Sequence, residues 1–156
     1  MSRPGLALHM ECILPAPRER VFAAFTEPDE LPKWWGPHGF TTPEVELDLR
    51  VGGSYRFTMQ PPEGDRFHLE GEFLEIVPPA RLAYTFRWDP PDPDDRETVV
   101  TLSFADRGDS TTEVVLDQGS FATEARRELH DQGWTDTFER LREALGGRGR
   151  SGSPVE

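Results

Sequence analysis

Two histidines and one tyrosine are the side chains with which this sequence could move a proton. His38 lies in a loop rich in proline and glycine, His130 in a helical segment, and Tyr84 in a segment that alternates like a strand. Imidazole titrates near neutral pH and a buried phenol requires a hydrogen-bond partner, so each group could serve catalysis or hold a ligand. The opposing interpretation makes His38 an exposed turn residue and His130 a satisfied core residue.

Other catalytic and metal-binding patterns do not occur in the sequence. It has no nucleophile elbow, no phosphate-binding loop and no dinucleotide-binding glycine motif. His9, His38, His68 and His130 have no close spacing typical of metal ligands, and Cys12 is the only cysteine. We therefore predict no metal site and no cofactor, and an enzyme is the less favoured interpretation.

Alternating apolar residues predict six or seven short strands, which is typical of an antiparallel sheet with one face on the core. The opposite face carries charged residues such as Arg56, Glu70 and Arg87. Residues 36–43 are predicted to be a loop, with the next strand over 45–49. An aromatic-rich set is predicted to point inward: Phe57, Met59, Leu69, Phe73, Tyr84, Phe86 and Trp88.

Two short helices are predicted after the first strand. Pro17 is well placed to begin the first, which continues to Phe25, because a proline at the first helical position loses no hydrogen bond. The second is predicted from Pro28 or Asp29 to Trp34. Trp34 and Trp35 are adjacent, so both are buried only if the chain offers two surfaces to cover them.

A long helix is predicted over residues 122–145. Its main apolar stripe consists of Trp134, Phe138, Leu141 and Leu145, and His130 and Thr137 fall near Trp134 on the helical wheel. A second stripe in the first half contains Ala122, Ala125, Leu129 and Gly133. Bare backbone at Gly133 indicates close packing by a sheet residue or Trp35, whereas Arg126 and Arg127 are interpreted as surface charges.

The grouping of the helices predicts an α+β fold, because helices do not alternate with every strand. An antiparallel sheet with one apolar face requires cover, and the long final helix is the element with enough apolar surface to supply it. A curved sheet around one helix leaves a space that side chains need not fill. We expect a single domain over residues 1–146 and a disordered tail over 147–156, whose composition is rich in glycine and serine.

Composition limits the partners and the compartment. The 156 residues carry a formal charge of −12, so phosphate backbones and anionic lipid surfaces would be repelled. No run of about 18 apolar residues exists to span a bilayer. A single cysteine fits a reducing compartment, and we expect a cytoplasmic protein without nucleic-acid or membrane partners.

Six motifs along the chain form a recognisable set: Pro15–Phe22, Glu27–Pro28, Leu31–Pro37, Asp48–Phe57, Gly71–Ile76 and His130–Trp134. Together they resemble the family of Hsp90-ATPase-activator-like domains within the START/Bet v 1-like (SRPBCC) superfamily. The resemblance covers about residues 8–146 and implies the helix-grip fold, in which an antiparallel sheet grips a long C-terminal helix around a cavity.

The resemblance implies binding of a small hydrophobic or aromatic molecule, in a stress or metabolic context, between the sheet and the final helix. Two alternatives stay open: a cyclase- or hydrolase-type enzyme using His130, His38 or Tyr84, and an Hsp90-type co-chaperone. A homodimer through an edge strand near residues 5–13 or 45–49 is a further expectation. The residues expected to contact the ligand are Trp34, Trp35, His38, Phe57, Met59, Phe73, Tyr84, Phe86, Trp88, His130, Trp134, Thr137 and Phe138.

Overall fold

The structure is a computed structural model and describes residues 6–147. Within these residues the chain contains one seven-stranded antiparallel sheet in the order β1-β7-β6-β5-β4-β3-β2, and two α-helices. The strands are β1 (Leu8–Leu14), β2 (Thr41–Leu47), β3 (Ser54–Gln60), β4 (Phe67–Val77), β5 (Arg81–Asp89), β6 (Thr98–Asp106) and β7 (Thr112–Gly119), and the helices are α1 (Arg18–Thr26) and α2 (Glu124–Arg142).

Local hairpins build most of the sheet, and one long-range pairing completes it. Strands β2 to β6 each pair with the next strand along the chain, whereas β1 crosses to pair with β7, with Cys12 opposite Val114. The two sheet edges are therefore β1 and β2. Pro43 lies in β2, where an edge strand tolerates a residue without an N–H group.

Helix α1 forms as predicted, and the second predicted helix is shorter than expected. Only residues Leu31–Lys33 form a 3₁₀ turn, which begins after Glu30 rather than at Pro28 or Asp29. The two prolines nearby remove backbone donors, so the segment cannot extend into a regular α-helix. The turn still buries both tryptophans that follow it: Trp34 is 1% exposed and Trp35 is 5% exposed.

Helix α2 begins at a side-chain cap and ends in a wider turn. The Thr123 hydroxyl accepts a hydrogen bond from the Arg126 backbone N–H, and residues Glu143–Gly147 continue as a π-helical turn. Trp134, Phe138 and Leu141 are buried, as predicted.

The second predicted stripe of α2 is wrong for two of its members. Ala125 is exposed and Leu129 is 55% exposed. The first half of the helix faces a cavity rather than packed side chains, so an apolar residue there need not be covered.

Several predicted boundaries differ from the observed ones. Strand β2 begins at Thr41, inside the predicted loop, and ends at Leu47 rather than Leu49. The predicted tail over 147–156 lies outside the described residues except for Gly147, and the extent of the domain stays a prediction. No helix in the described residues is long and apolar enough to cross a membrane.

The core lies on the concave face of the sheet and is dominated by aromatic rings. Phe25 of α1 packs edge-on against Trp34 at 4.8 Å and against Phe104 at 5.4 Å, measured between ring centroids. Phe138 of α2 closes this cluster at 6.4 Å from Phe25. The observed arrangement confirms the predicted α+β helix-grip fold.

A glycine in β4 allows close approach of β5. A Cβ atom added at Gly71 would overlap the Thr85 carbonyl oxygen, and the same oxygen accepts a hydrogen bond from the Tyr55 hydroxyl at 2.5 Å. Tyr55 lies directly opposite Gly71 in the β3–β4 register. The missing side chain therefore lets Tyr55 and Thr85 meet.

Replacement of this glycine should destabilise the sheet. Gly71→Ala is expected to lower the free energy of unfolding by about 1–3 kcal/mol, because β4 must move away from the Thr85 carbonyl. Urea denaturation measures the effect. Glu72→Ala, at an exposed position on the same strand, is the control and should change little; equal stability of the two variants would contradict the close-approach argument.

Candidate functional site

A cavity of about 410 Å³ lies between the first half of α2 and the sheet. The loop that follows the 3₁₀ turn, residues 35–40, forms its third side. Its walls are mainly apolar, and six of the residues that line it are aromatic rings. These rings are Trp35, Phe40, Phe67, Phe86, Trp88 and Trp134.

Ring-to-ring contacts hold the aromatic walls in place. Trp35 packs edge-on against Trp134 at 5.5 Å, and Trp88 packs edge-on against both Phe86 at 5.1 Å and Phe67 at 5.4 Å. Edge-to-face pairs at these separations are favourable beyond the area that they bury. The rings form a connected wall across two elements of the sheet and α2.

His130 is fixed on both sides by hydrogen bonds. Its Nδ1 atom lies 2.7 Å from the Arg126 carbonyl oxygen, which can only accept, so Nδ1 carries the proton. The Nε2 atom then accepts a hydrogen bond from the indole N–H of Trp88 at 2.9 Å. Burial lowers the pKa of His130. The ring is therefore neutral, and neither nitrogen is free for a ligand.

The indole of Trp134 is held by a short chain of hydrogen bonds to buried polar side chains of the sheet. Its indole N–H donates to Gln118 Oε1 at 2.8 Å, and Gln118 Nε2 donates to the Thr98 hydroxyl at 2.9 Å. Sequence reasoning missed Gln118, although it follows the inward parity of Thr112, Val114 and Leu116 along β7. A polar residue at an inward position was the signal that could have identified it.

An ionic cluster lies at one side of the cavity mouth. Arg126 of α2 forms salt bridges with Asp95 and, at 3.4 Å, with Asp92, both in the β5–β6 loop. The side chains of Arg126 and Asp95 are only 15% and 7% exposed. The interpretation of Arg126 as a surface charge was wrong, because the acidic loop folds over it.

A second arginine attaches the 35–40 loop to α2. The Arg140 Nη1 atom lies 2.9–3.2 Å from four backbone carbonyl oxygens, which belong to Trp35, Gly36, Pro37 and Phe40. Desolvation lowers the pKa of Arg140, although a guanidinium stays charged at neutral pH. Because each of these four residues lines the cavity, Arg140 fixes one cavity wall.

The structure brings seven of the predicted ligand-contact residues to this cavity and places six elsewhere. Those that line it are Trp35, Met59, Phe86, Trp88, His130, Trp134 and Thr137. Sequence reasoning missed Phe40 and Phe67, which pack against each other at 6.1 Å. Phe67 continues the inward alternation of β4, so the strand pattern could have identified it. Phe40 lies in a loop, where buried residues follow no periodic pattern in the sequence.

Three of the other six line a separate void deeper in the core. Phe57, Phe73 and Tyr84 surround a space of about 10 Å³, which is roughly the size that one water molecule requires. The predicted partner of the Tyr84 hydroxyl is not found among the described residues, and burial raises its pKa above the ordinary value of 10.0. Phe25 of α1 lines the same void, so these side chains belong to the aromatic core and not to the ligand-sized cavity.

The remaining three are used elsewhere in the fold. Trp34 donates its indole N–H to the Ala24 carbonyl at 3.2 Å, and Phe138 stacks on Trp134 at 5.7 Å. His38 is exposed and pairs with Glu139 at 2.9 Å. Ligand atoms of His38, Glu139 and Asp136 lie within 4.8 Å of one another on the surface, outside the cavity.

Gly133 does not have the role that the sequence indicated. A Cβ atom added there would meet only Pro37 Cγ, at 4.0 Å, so neither a strand nor Trp35 packs against bare backbone. Gly133 instead lines the cavity. A larger side chain at this position would extend into that space.

The three candidate proton-transfer groups do not form one catalytic site. His130 has both ring nitrogens engaged, Tyr84 lines the deeper void, and His38 lies on the surface. No pair of them faces a common part of the cavity. The observed geometry therefore suits binding by shape and apolar contact.

A curved antiparallel sheet that grips a long C-terminal helix around an apolar cavity defines the helix-grip class of the START/Bet v 1-like superfamily. Within that class, the chain belongs to the family of activator of Hsp90 ATPase homolog 1-like proteins, whose model matches residues 15–146. The family fits a ligand-binding module or a co-chaperone module in general. No functionally curated protein matches the chain in sequence.

Solved structures of bacterial proteins are similar over nearly the whole chain. A protein from Chromobacterium violaceum is 28% identical, with a TM-score of 0.79, 92% of this chain covered and 98% of the other. A Nitrosomonas europaea protein is 28% identical, with a TM-score of 0.77 and coverage of 94% and 98%. The AHSA1 protein from Silicibacter pomeroyi is 27% identical, with a TM-score of 0.78 and coverage of 91% and 99%.

The fixed protonation state of His130 predicts a pH dependence of stability. Its pKa in the folded chain lies below the ordinary 6.5, so the unfolded chain takes up the proton first as the pH falls. The native state should therefore lose stability as the pH falls below about 6.5. Urea denaturation at pH 7 and pH 5 should show a larger loss for the wild type than for His130→Gln.

Comparing the wild type with His130→Gln removes the contribution of His9, the other histidine whose pKa is shifted. Hydrogen bonds that His9 donates to the Asp117 and Glu11 carboxylates raise the pKa of His9, which acts in the opposite direction, but His9 is present in both proteins. Parallel pH profiles for the wild type and His130→Gln would contradict the assigned protonation state.

The contacts of Arg140 predict a structural cost when the guanidinium is removed. Arg140→Met should lower the free energy of unfolding by about 1.5–3 kcal/mol, because charged hydrogen bonds to buried carbonyls are lost. Hydrogen exchange should also become faster at the backbone N–H of Phe40, which donates to the Pro37 carbonyl. Arg127→Met removes an exposed helix-surface pair with Glu124 and serves as the control. An equally small effect of both changes would contradict the inference that Arg140 holds the 35–40 loop in place.

Proposed function

We propose that the chain binds a small, uncharged, apolar or aromatic molecule in the cavity between α2 and the sheet. The observation that carries the proposal is the aromatic-lined space of about 410 Å³. Ligand sites commonly have volumes of about 300–1,000 Å³ and mainly apolar walls. Transfer of an apolar ligand from water to such walls is favourable by about 25 cal/mol for each Å² buried.

The charges at the mouth support an uncharged ligand. Arg126 is compensated by Asp95 and Asp92, and Asp65 and Arg66, which also line the mouth, are of opposite sign. Asp65 and Arg66 are exposed, so an ionised group deeper in the cavity would lose its hydration against apolar walls, and that loss is costly. A neutral ligand meets no such penalty.

Specific observations favour binding over the two alternatives. A cyclase- or hydrolase-type reaction would require two proton-transfer groups around one ligand atom, and the candidate groups lie in separate places. A co-chaperone would be expected to present a continuous apolar surface. The large apolar side chains that are exposed are divided among five segments of the described chain: Ile13 in β1, Leu49 and Val51 in the β2–β3 loop, Leu74 and Val77 in β4, Val99 in β6 and Leu129 in α2.

A neutral fluorescent probe tests the proposal. Nile red should bind with increased fluorescence, and Gly133→Leu should weaken binding about tenfold or more, because the new side chain occupies the cavity. Gly133→Ala is the matched control: its Cβ has room, and alanine should raise the free energy of unfolding by up to about 1 kcal/mol. Fluorescence titration and thermal denaturation provide the two measurements.

The outcomes separate the candidate functions. Absence of saturable probe binding to the wild type, or equal binding by the wild type and folded Gly133→Leu, would overturn the proposal. Stimulation of an Hsp90 ATPase without probe binding would support the co-chaperone alternative instead.

A further inference from the structure

The four tryptophans differ in what their indole N–H groups donate to. A buried indole normally finds a hydrogen-bond partner, because an unsatisfied buried donor costs about 1–3 kcal/mol. In residues 6–147, Trp35 alone has no partner for its N–H. The other three donate at 2.8–3.2 Å: Trp34 to the Ala24 carbonyl, Trp88 to His130 and Trp134 to Gln118.

The indole nitrogen of Trp35 keeps some accessible surface, although it has no hydrogen-bond partner in the described residues. Among the described residues, the buried side-chain nitrogen and oxygen atoms that lack both solvent contact and a partner are the Tyr84 hydroxyl and Arg126 Nε. Trp35 Nε1 is not one of them, although the residue is only 5% exposed. Trp35 lines both the cavity and the small void beside Tyr84, and of these two spaces only the cavity has room for a ligand.

The other uncharged polar side chains of the cavity wall already use their hydrogens. His130 donates from Nδ1 to the Arg126 carbonyl, and its Nε2 accepts from Trp88. The Thr137 hydroxyl donates to the Gly133 carbonyl at 2.7 Å. Inside the mouth, therefore, Trp35 is the uncharged side chain in the described residues that still has a proton to donate.

We infer that Trp35 determines specificity by donating its indole N–H to an oxygen acceptor on an uncharged aromatic ligand. The ligand class is a flat aromatic compound with a carbonyl oxygen, rather than a plain aromatic hydrocarbon. This inference rests on the proposed function, because it requires that the cavity be occupied. A single donor in an aromatic wall fixes the orientation of a ligand that the rings alone would bind in several ways.

Fluorene and 9-fluorenone form a matched pair of probes for this inference. They have the same three-ring outline and differ in one carbonyl oxygen. The ratio of their affinities for the wild type, compared with the same ratio for Trp35→Phe, measures the contribution of the indole N–H. We expect the preference for 9-fluorenone to fall about twofold to tenfold in Trp35→Phe, as the loss of one hydrogen bond predicts.

A second variant controls for the loss of aromatic surface. Phe67→Leu removes a ring from the same wall without removing a donor, so it should weaken both probes and leave their ratio unchanged. If Trp35→Phe does not fold, the wild type still decides the question by nuclear magnetic resonance. The indole N–H signals of Trp34, Trp88 and Trp134 should change little in position, whereas the fourth should move downfield with 9-fluorenone and not with fluorene.

Different results would overturn the proposed function and the role of Trp35. If neither probe binds the wild type, the proposed function fails. If both bind but the affinity ratio is unchanged in Trp35→Phe, or no indole N–H signal moves downfield with 9-fluorenone, the cavity binds ligands and the role of Trp35 is wrong.

Discussion

The cavity depends on the Arg140 guanidinium, which donates hydrogen bonds to several backbone carbonyl groups of an irregular loop. Residues 35–40 form one wall of the site, and their backbone has no strand or helix to satisfy it. Arg140 donates from the neighbouring helix to the carbonyls of Trp35, Gly36, Pro37 and Phe40. The Thr42 hydroxyl and the Phe40 N–H are further donors to the Trp35 and Pro37 carbonyls. Because buried carbonyl groups require partners, this contact allows a loop to serve as a stable wall.

A change in the packing of α2 along its length leaves space for the cavity. In the second half, Phe138 and Leu141 are buried in the aromatic core. In the first half, Gly133 has no side chain and Leu129 is more than half exposed. The cavity persists between the helix and the sheet because the rings on its walls support one another and the ring nitrogens of Trp88, His130 and Trp134 have local partners.

The fold could be predicted from local periodicity, and the site only in part. Alternation along β3 to β7 and the stripe through Trp134, Phe138 and Leu141 indicate which faces are buried, since these patterns need only neighbouring residues. The division of the inward aromatic residues between cavity and core depends on sheet curvature, which no strand pattern encodes. Arg140 and Arg126 were missed as well, because each meets partners far along the chain, and exposed helix arginines have the same local sequence signature.

Trp35 lies between the ligand-sized cavity and the small void beside Tyr84, and it lines both. The indole therefore separates the two spaces, and edge-on contacts with Trp34, Phe57 and Trp134 at 5.1–5.5 Å between ring centroids hold it there. The inner end of the ligand-sized cavity is thus set by one side chain, whereas its other dimensions are set by the sheet and α2.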